Sequence, residues 1–188
     1  MKLYSYVMVS DTGFAPNPFD GFCTLACCKP NIRRTASVDD WIVGTGSNGT
    51  VGNDKLIYAM KVTEKTDFDI YYHDKRFHNR LDNIYFKNKD NWIQKENPFH
   101  HEKDMDHDLS GKYVLISDDF FYFGKDAIEI PEKFWEIIKK GPGHKCNFSV
   151  ILVNEFIEWL EENYACGKQG EPYNYIEEPG NDEKGCGV

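Results

Sequence analysis

"DWIVGTGSNGTVGNDKLIYAMKVTE", residues 40–64, decides how this chain folds. Its two ends, "DWIVGTG" (40–46) and "KLIYAMKVTE" (55–64), carry Val, Ile, Tyr and Trp at strand-like density. The glycines and asparagines between them read as a hairpin loop. Within it, "GTGSNG" (44–49) is a literal G-x-G-x-x-G. A dinucleotide site also needs a helix opening at the last glycine, because that helix end holds the pyrophosphate. Here Thr50-Val51-Gly52-Asn53-Asp54 leads into another strand. The motif is therefore read as a plain hairpin, and no nicotinamide, flavin or other cofactor is expected.

Outward from the hairpin, "KLYSYVMVS" (2–10) reads as a strand, and residues 11–22 as loop from their Gly and Pro content. Residues 23–29 fit one short helix closed by Pro30. "DFDIYYHDKRF" (67–77) fits a strand by its aromatics and a helical turn by its spacing. Residues 87–112 form a long polar segment, of the length that is usually functional or disordered. "KYVLISDDFFYFG" (112–124) reads as strand, turn, strand. Pro131 starts a helix over "EKFWEIIKK", and residues 149–164 form the clearest helix, with Val150, Val153, Phe156, Ile157 and Leu160 on one apolar face. The expected organisation is a single domain over 1–166, followed by an acidic, Gly- and Pro-rich flexible tail, 167–188.

The chain has 188 residues, enough for one sizeable core. No apolar run reaches the ~18 residues of a membrane span. The N-terminal stretch lacks the apolar core and small-residue cleavage site of a signal peptide. A cytoplasmic location is expected, the host cytoplasm if the chain is viral, with the six cysteines mostly reduced. The net charge of −9 is uneven: +2 over residues 1–36 and −11 over the remainder. Such a chain is a poor general binder of duplex phosphates, which need many Lys and Arg contacts. A nucleotide, a flipped base or a few phosphates remain compatible with the basic segment.

Cys23, Cys27 and Cys28 show no C-x-x-C spacing and no second pair, so no metal site is expected; His144 and Cys146 would join one only through long-range folding. A catalytic thiol needs a nearby base or positive field, which Lys29 and Arg33 offer. In "HHEKDMDHDLSG" (100–111), Asp104, Asp106 and Asp108 alternate, but Leu109 and Leu115 stand where a calcium loop wants glycine and glutamate. This segment reads as a solvated acidic loop in the position of a lid, with His100, His101 and His107 as metal-capable side chains.

"DWIVGTGS" and "LIYAMKVTE" resemble the strand pair of PUA-like and EVE-like barrels. Taken with "GFAPNPF", "CTLACCKPNIR" and "VLISDDFFYFG", they are similar to the nucleotide modification associated domain family, type two. The similarity is strongest over residues 2–125. The resemblance implies phage or bacterial systems that modify DNA bases. It places Asp11, Asn17, Cys23, Thr24, Cys28, Lys29, Arg33, Trp41, Thr45, Ser47 and Tyr122 on motif positions.

The expected fold is α+β, a PUA-like mixed or antiparallel β-barrel with flanking helices and a C-terminal helix. The expected function is recognition of a nucleotide or modified base in DNA, as part of a modification or defence system that also supplies a possible protein partner. Residues 11–33 and 44–47 would wall the pocket, with Asp11, Asn17, Thr24, Lys29, Arg33, Trp41, Thr45, Ser47 and Tyr122 as ligand contacts. Two alternatives stay open: an enzyme acting on a nucleotide or base through Asp11, Cys23 or Cys28, and an acidic protein-interaction module.

Overall fold

The computed structural model describes residues 1–174. In chain order it contains β1 (Leu3–Val7), β2 (Cys23–Leu25), α1 (Pro30–Thr35), β3 (Trp41–Thr45), β4 (Lys55–Lys61), β5 (Glu64–Asp67) and α2 (Phe68–His73). These are followed by β6 (Tyr85–Asn88), β7 (Asn91–Gln94), α3 (Glu102–Leu109), β8 (Tyr113–Ser117), β9 (Phe120–Tyr122) and β10 (Ile128–Glu129), then β11 (His144–Lys145), α4 (Val150–Asn163) and β12 (Gly167–Lys168).

The hairpin forms as its sequence demands. β3 and β4 pair antiparallel, with Ile42 opposite Met60 and Val43 opposite Ala59. β1 joins β3 in parallel and β9 joins β4 antiparallel, giving the row β11-β1-β3-β4-β9-β12, to which β10 adds beside β4. Both faces of this sheet are buried. Trp41, Val43, Leu56 and Ala59 pack on the side of α4, while Ile42, Ile57, Tyr58 and Met60 point the other way. Burial on two faces is why these strands read as near-continuous apolar runs. On the α4 side, Val153, Phe156, Ile157 and Leu160 close the core. Each such side chain contributes about 1.5–3 kcal/mol by leaving water. Ser149 caps α4 by accepting from the Leu152 amide.

A second sheet, β2-β8-β5, lies across the opposite face. Its central strand β8 is also two-sided: Leu115 faces the large sheet, and Val114 and Ile116 face a third core with Phe68, Tyr71, Phe77 and Tyr85. The β6–β7 hairpin, α2 and α3 cover that third core.

The architecture is mixed α+β, but β11 and β12 end the row and no strands of the described residues close into a barrel. Residues 23–29 are not a helix. Cys23–Leu25 pairs with β8, and Pro30 opens α1 instead of ending one, because proline lacks only an amide that the first turn leaves unbonded anyway. Residues 67–77 take the helical option, as α2 and a short 3-10 turn. The strands of 112–124 form, but β8 enters the small sheet and β9 the large one, so they do not form a hairpin. The helix expected after Pro131 is a 3-10 turn, Glu132–Ile137, and Val150 of α4 is exposed. The segment after Gly167 begins inside the fold: β12 pairs in parallel with β9, and the Asn174 amide donates to the Asp11 carbonyl at 2.7 Å. The remainder of the expected tail lies outside the described residues. No described helix is long and apolar enough to cross a membrane.

Candidate active site

β2 ends at Leu25 and α1 begins at Pro30. Between them the chain must reverse, and Cys28 and Lys29 do so with positive φ, 57° and 43°. That backbone region costs most residues of L chirality roughly 1 kcal/mol or more. A tight strand-to-helix turn of this kind holds a side chain out from the core. Cys28 is half-buried, whereas Cys23 and Cys27 beside it are fully buried.

The Cys28 sulphur lies 3.4 Å from His100 Nε2, and His100 Nδ1 lies 2.7 Å from Asp108 Oδ2. Three elements far apart in sequence thus meet: the β2–α1 turn, the loop after β7, and α3. His100 is held on every side. Its amide donates to Asn97 Oδ1, its carbonyl accepts from Gln94, and its ring packs 4.9 Å from that of Phe14. Asp108 is buried and fully used. Its Oδ1 accepts from the Cys28 amide at 2.6 Å, and its Oδ2 accepts from Tyr85 at 2.8 Å as well as from His100. Burial works against charge on His100, but the hydrogen bonds of Asp108 and Cys28 outweigh it and raise the imidazole pKa to about 10. Burial likewise opposes the Asp108 carboxylate, and the His100 hydrogen bond and charge outweigh it, holding that carboxyl below its usual range.

Arg33 locks this arrangement. It is wholly buried, and its guanidinium donates to the carbonyls of Cys28, Asp108 and Tyr113 while lying 3.8 Å from Asp108 Oδ1. One planar fork ties the thiol turn, the end of α3 and the start of β8. Gly111 makes room for it, since a Cβ there would lie 2.6 Å from the guanidinium carbon.

Cys28, Lys29, Asn31, His100, His107 and His144 line a cleft of about 400 Å³. His100 also borders a second cleft of about 450 Å³ that runs along Trp92, Gln94 and Lys95. Cys27, His100 and Asp108 place possible metal-ligand atoms within 4.8 Å of one another. Two of the three already serve each other, and burial pushes the Cys27 thiol well up, away from the thiolate that a metal binds.

The remaining expected contacts lie elsewhere. Arg33 is wholly buried with its guanidinium turned to three carbonyls, and it does not line the Cys28 cleft. Asn17 and Thr24 belong to a buried network with Tyr71, Arg80 and Asp82: Arg80 donates to Asn17 Oδ1 at 2.8 Å and to Thr24 Oγ1 at 2.9 Å, and Thr24 donates to Asp82. Tyr122 donates to Asp11 at 2.6 Å, and residues 173–174 cover that pair. Burial raises the Asp11 carboxyl above its usual range against these donors, but Asp11 does not line the Cys28 cleft. Trp41 sits in the core under α4, and Thr45 donates to the Tyr6 carbonyl. Ser47 borders a different cleft with Val9 and Lys139. Cys23 is fully buried, and burial raises its thiol far above the ordinary value. Of the expected site residues, the catalytic candidate Cys28 and the ligand contact Lys29 share the cleft.

The sequence places His100 and Asp108 in a solvated acidic loop, whereas the fold brings both to Cys28. The supposed acidic loop is α3, in which Asp104 accepts from the His101 amide as a capping box, and Asp108 points inward with Met105 and Leu109. That inward spacing was the available signal.

A family model described as nucleotide modification associated domain 2 matches residues 1–179. No curated protein and no solved structure matches the chain.

Proposed function

The chain belongs to the nucleotide modification associated domain 2 family, and from that premise we propose that it is a thiol enzyme acting on an acylated nucleotide or base. The observation that carries this reading is the line from Cys28 through His100 to Asp108, at 3.4 and 2.7 Å. A base that is oriented by a carboxylate and bonded to a thiol is the arrangement covalent catalysis needs. The raised pKa of His100 keeps a proton on its ring at neutral pH, 3.4 Å from the sulphur.

In the first step the Cys28 thiolate attacks a carbonyl carbon, forming an S–C bond. The C–N or C–O bond to the nucleotide breaks, and His100 delivers its proton to the leaving nitrogen or oxygen. Water then attacks the thioester and gives one proton to His100, and the thiolate departs. The products are a carboxylic acid and the deacylated nucleotide. Asp108 stays ionised throughout and keeps Nε2 of His100 facing the sulphur. Recognition of an intact nucleotide, the leading expectation from sequence, uses none of this geometry.

The experiment is incubation with nucleotides acetylated on their exocyclic amines, with acid quenching and intact-protein mass spectrometry. The expected result is deacylated product and an acetyl group on Cys28, both absent in Cys28→Ala. Intact nucleotide at every time point, or one zinc per chain by elemental analysis, overturns the proposal.

A further inference from the structure

We infer that the cleft takes a free nucleoside monophosphate, with Lys29 as the anchor of its phosphate, and not a base carried within a DNA strand. The inference rests on the proposed thiol site and names its substrate class. Lys29 is next in sequence to the nucleophile and lines the same cleft. Its ammonium lies 4.7 Å from the centroid of the Tyr6 ring, and among the described residues no carboxylate lies within 4 Å of it. The neighbouring arginines do not line the cleft: Arg33 is buried against carbonyls and Asp108, and the exposed Arg34 donates to Asn31.

Among the described residues, the cleft's two aspartates accept from other donors and neither forms an ion pair with that ammonium. Asp108 is held by the Cys28 amide, Tyr85 and His100, and Asp104 accepts from the His101 amide. His144 and His107 border the cleft as further hydrogen-bond partners. Burial and the nearby Lys139 lower the pKa of His144, so it offers a hydrogen bond and not a second charge at neutral pH. One ammonium without a carboxylate partner suits one phosphate. A strand of DNA needs a run of cations, and the chain carries −9 overall. The cleft, at about 400 Å³, is of a size for one small ligand.

The test is calorimetric titration of the four nucleoside 5′-monophosphates, their nucleosides and a short single-stranded oligonucleotide into Cys28→Ser. At least one monophosphate should bind about tenfold more tightly than its nucleoside, a charge-assisted contact's worth. Lys29→Asn, which suits the left-handed backbone there, should abolish that difference, and Lys29→Arg should retain it. The inference is overturned if monophosphate and nucleoside bind alike, if none binds, or if the oligonucleotide binds most tightly. Alkylation of Cys28 in the protein without nucleotide separates the two claims. A sluggish Cys28 sinks the thiol site itself, whereas a fast one with no phosphate preference sinks only the substrate class.

Discussion

His100 spends its two ring nitrogens on Asp108 and Cys28, and that decides how its charge depends on pH. Its pKa rises on folding from 6.5 to about 10. A raised pKa means the folded state binds the proton more tightly, so the stabilisation is complete below pH 6.5 and fades as pH rises toward about 10. Asp108 has the opposite sign: its contribution is present above 3.8, the ordinary carboxyl value, and is lost on acidification below it. Urea unfolding of wild type and His100→Gln should therefore show a stability gap that is widest between these limits and closes in alkali. A gap that stays constant from pH 5 to about pH 10 would mean that the histidine is held by packing and not by charge. None of this was legible from composition. The sequence offered a thiol, three histidines and an acidic run, but it could not say which histidine the chain brings to Cys28. That pairing joins residues 72 apart and is made by tertiary folding alone.

At the scale of elements, legibility followed burial symmetry. β3 and β4 announced themselves because both faces are buried and every residue agrees. α4 did so through its apolar stripe, apart from Val150, which sits in the exposed first turn. β2 did not, being three residues long between two loops. Its three residues fit a helix as well as a strand until the pairing with β8 is known. β12 was missed for a related reason, since its glycine and lysine gain their order from the edge of β9. Its anchoring has a measurable consequence. Ending the chain after Cys166 removes the bonds from Gln169 to the Tyr122 carbonyl, from Lys125 to the Glu171 carbonyl, and between Asn174 and Asp11. At about 1 kcal/mol net per bond, the melting temperature should fall by roughly 5–15 °C relative to a chain ended after Asn174. Equal melting temperatures would show that residues 167–174 only lie on the surface.

The whole molecule is a stack of layers: α4, the large sheet, the small sheet, and a cover of α2, α3 and the β6–β7 hairpin. The thiol turn emerges at the margin of the small sheet, where the cover supplies His100 and Asp108. The fold thereby sorts its cysteines. Cys23 and Cys27 are sealed in cores, Cys146 and Cys166 are exposed, and Cys28 is half-buried beside an imidazole. Exposure alone ranks Cys28 below Cys146 and Cys166 in reactivity. The proposed chemistry ranks it above them, because His100 stands beside its sulphur. The decisive measurement is the rate of iodoacetamide labelling at each cysteine, read by peptide mass spectrometry at neutral pH. Cys28 should react about tenfold faster than Cys146 and Cys166, and lose that advantage in His100→Ala and in Asp108→Asn. A Cys28 that labels no faster than the exposed cysteines, or that labels equally fast without His100, would contradict the account.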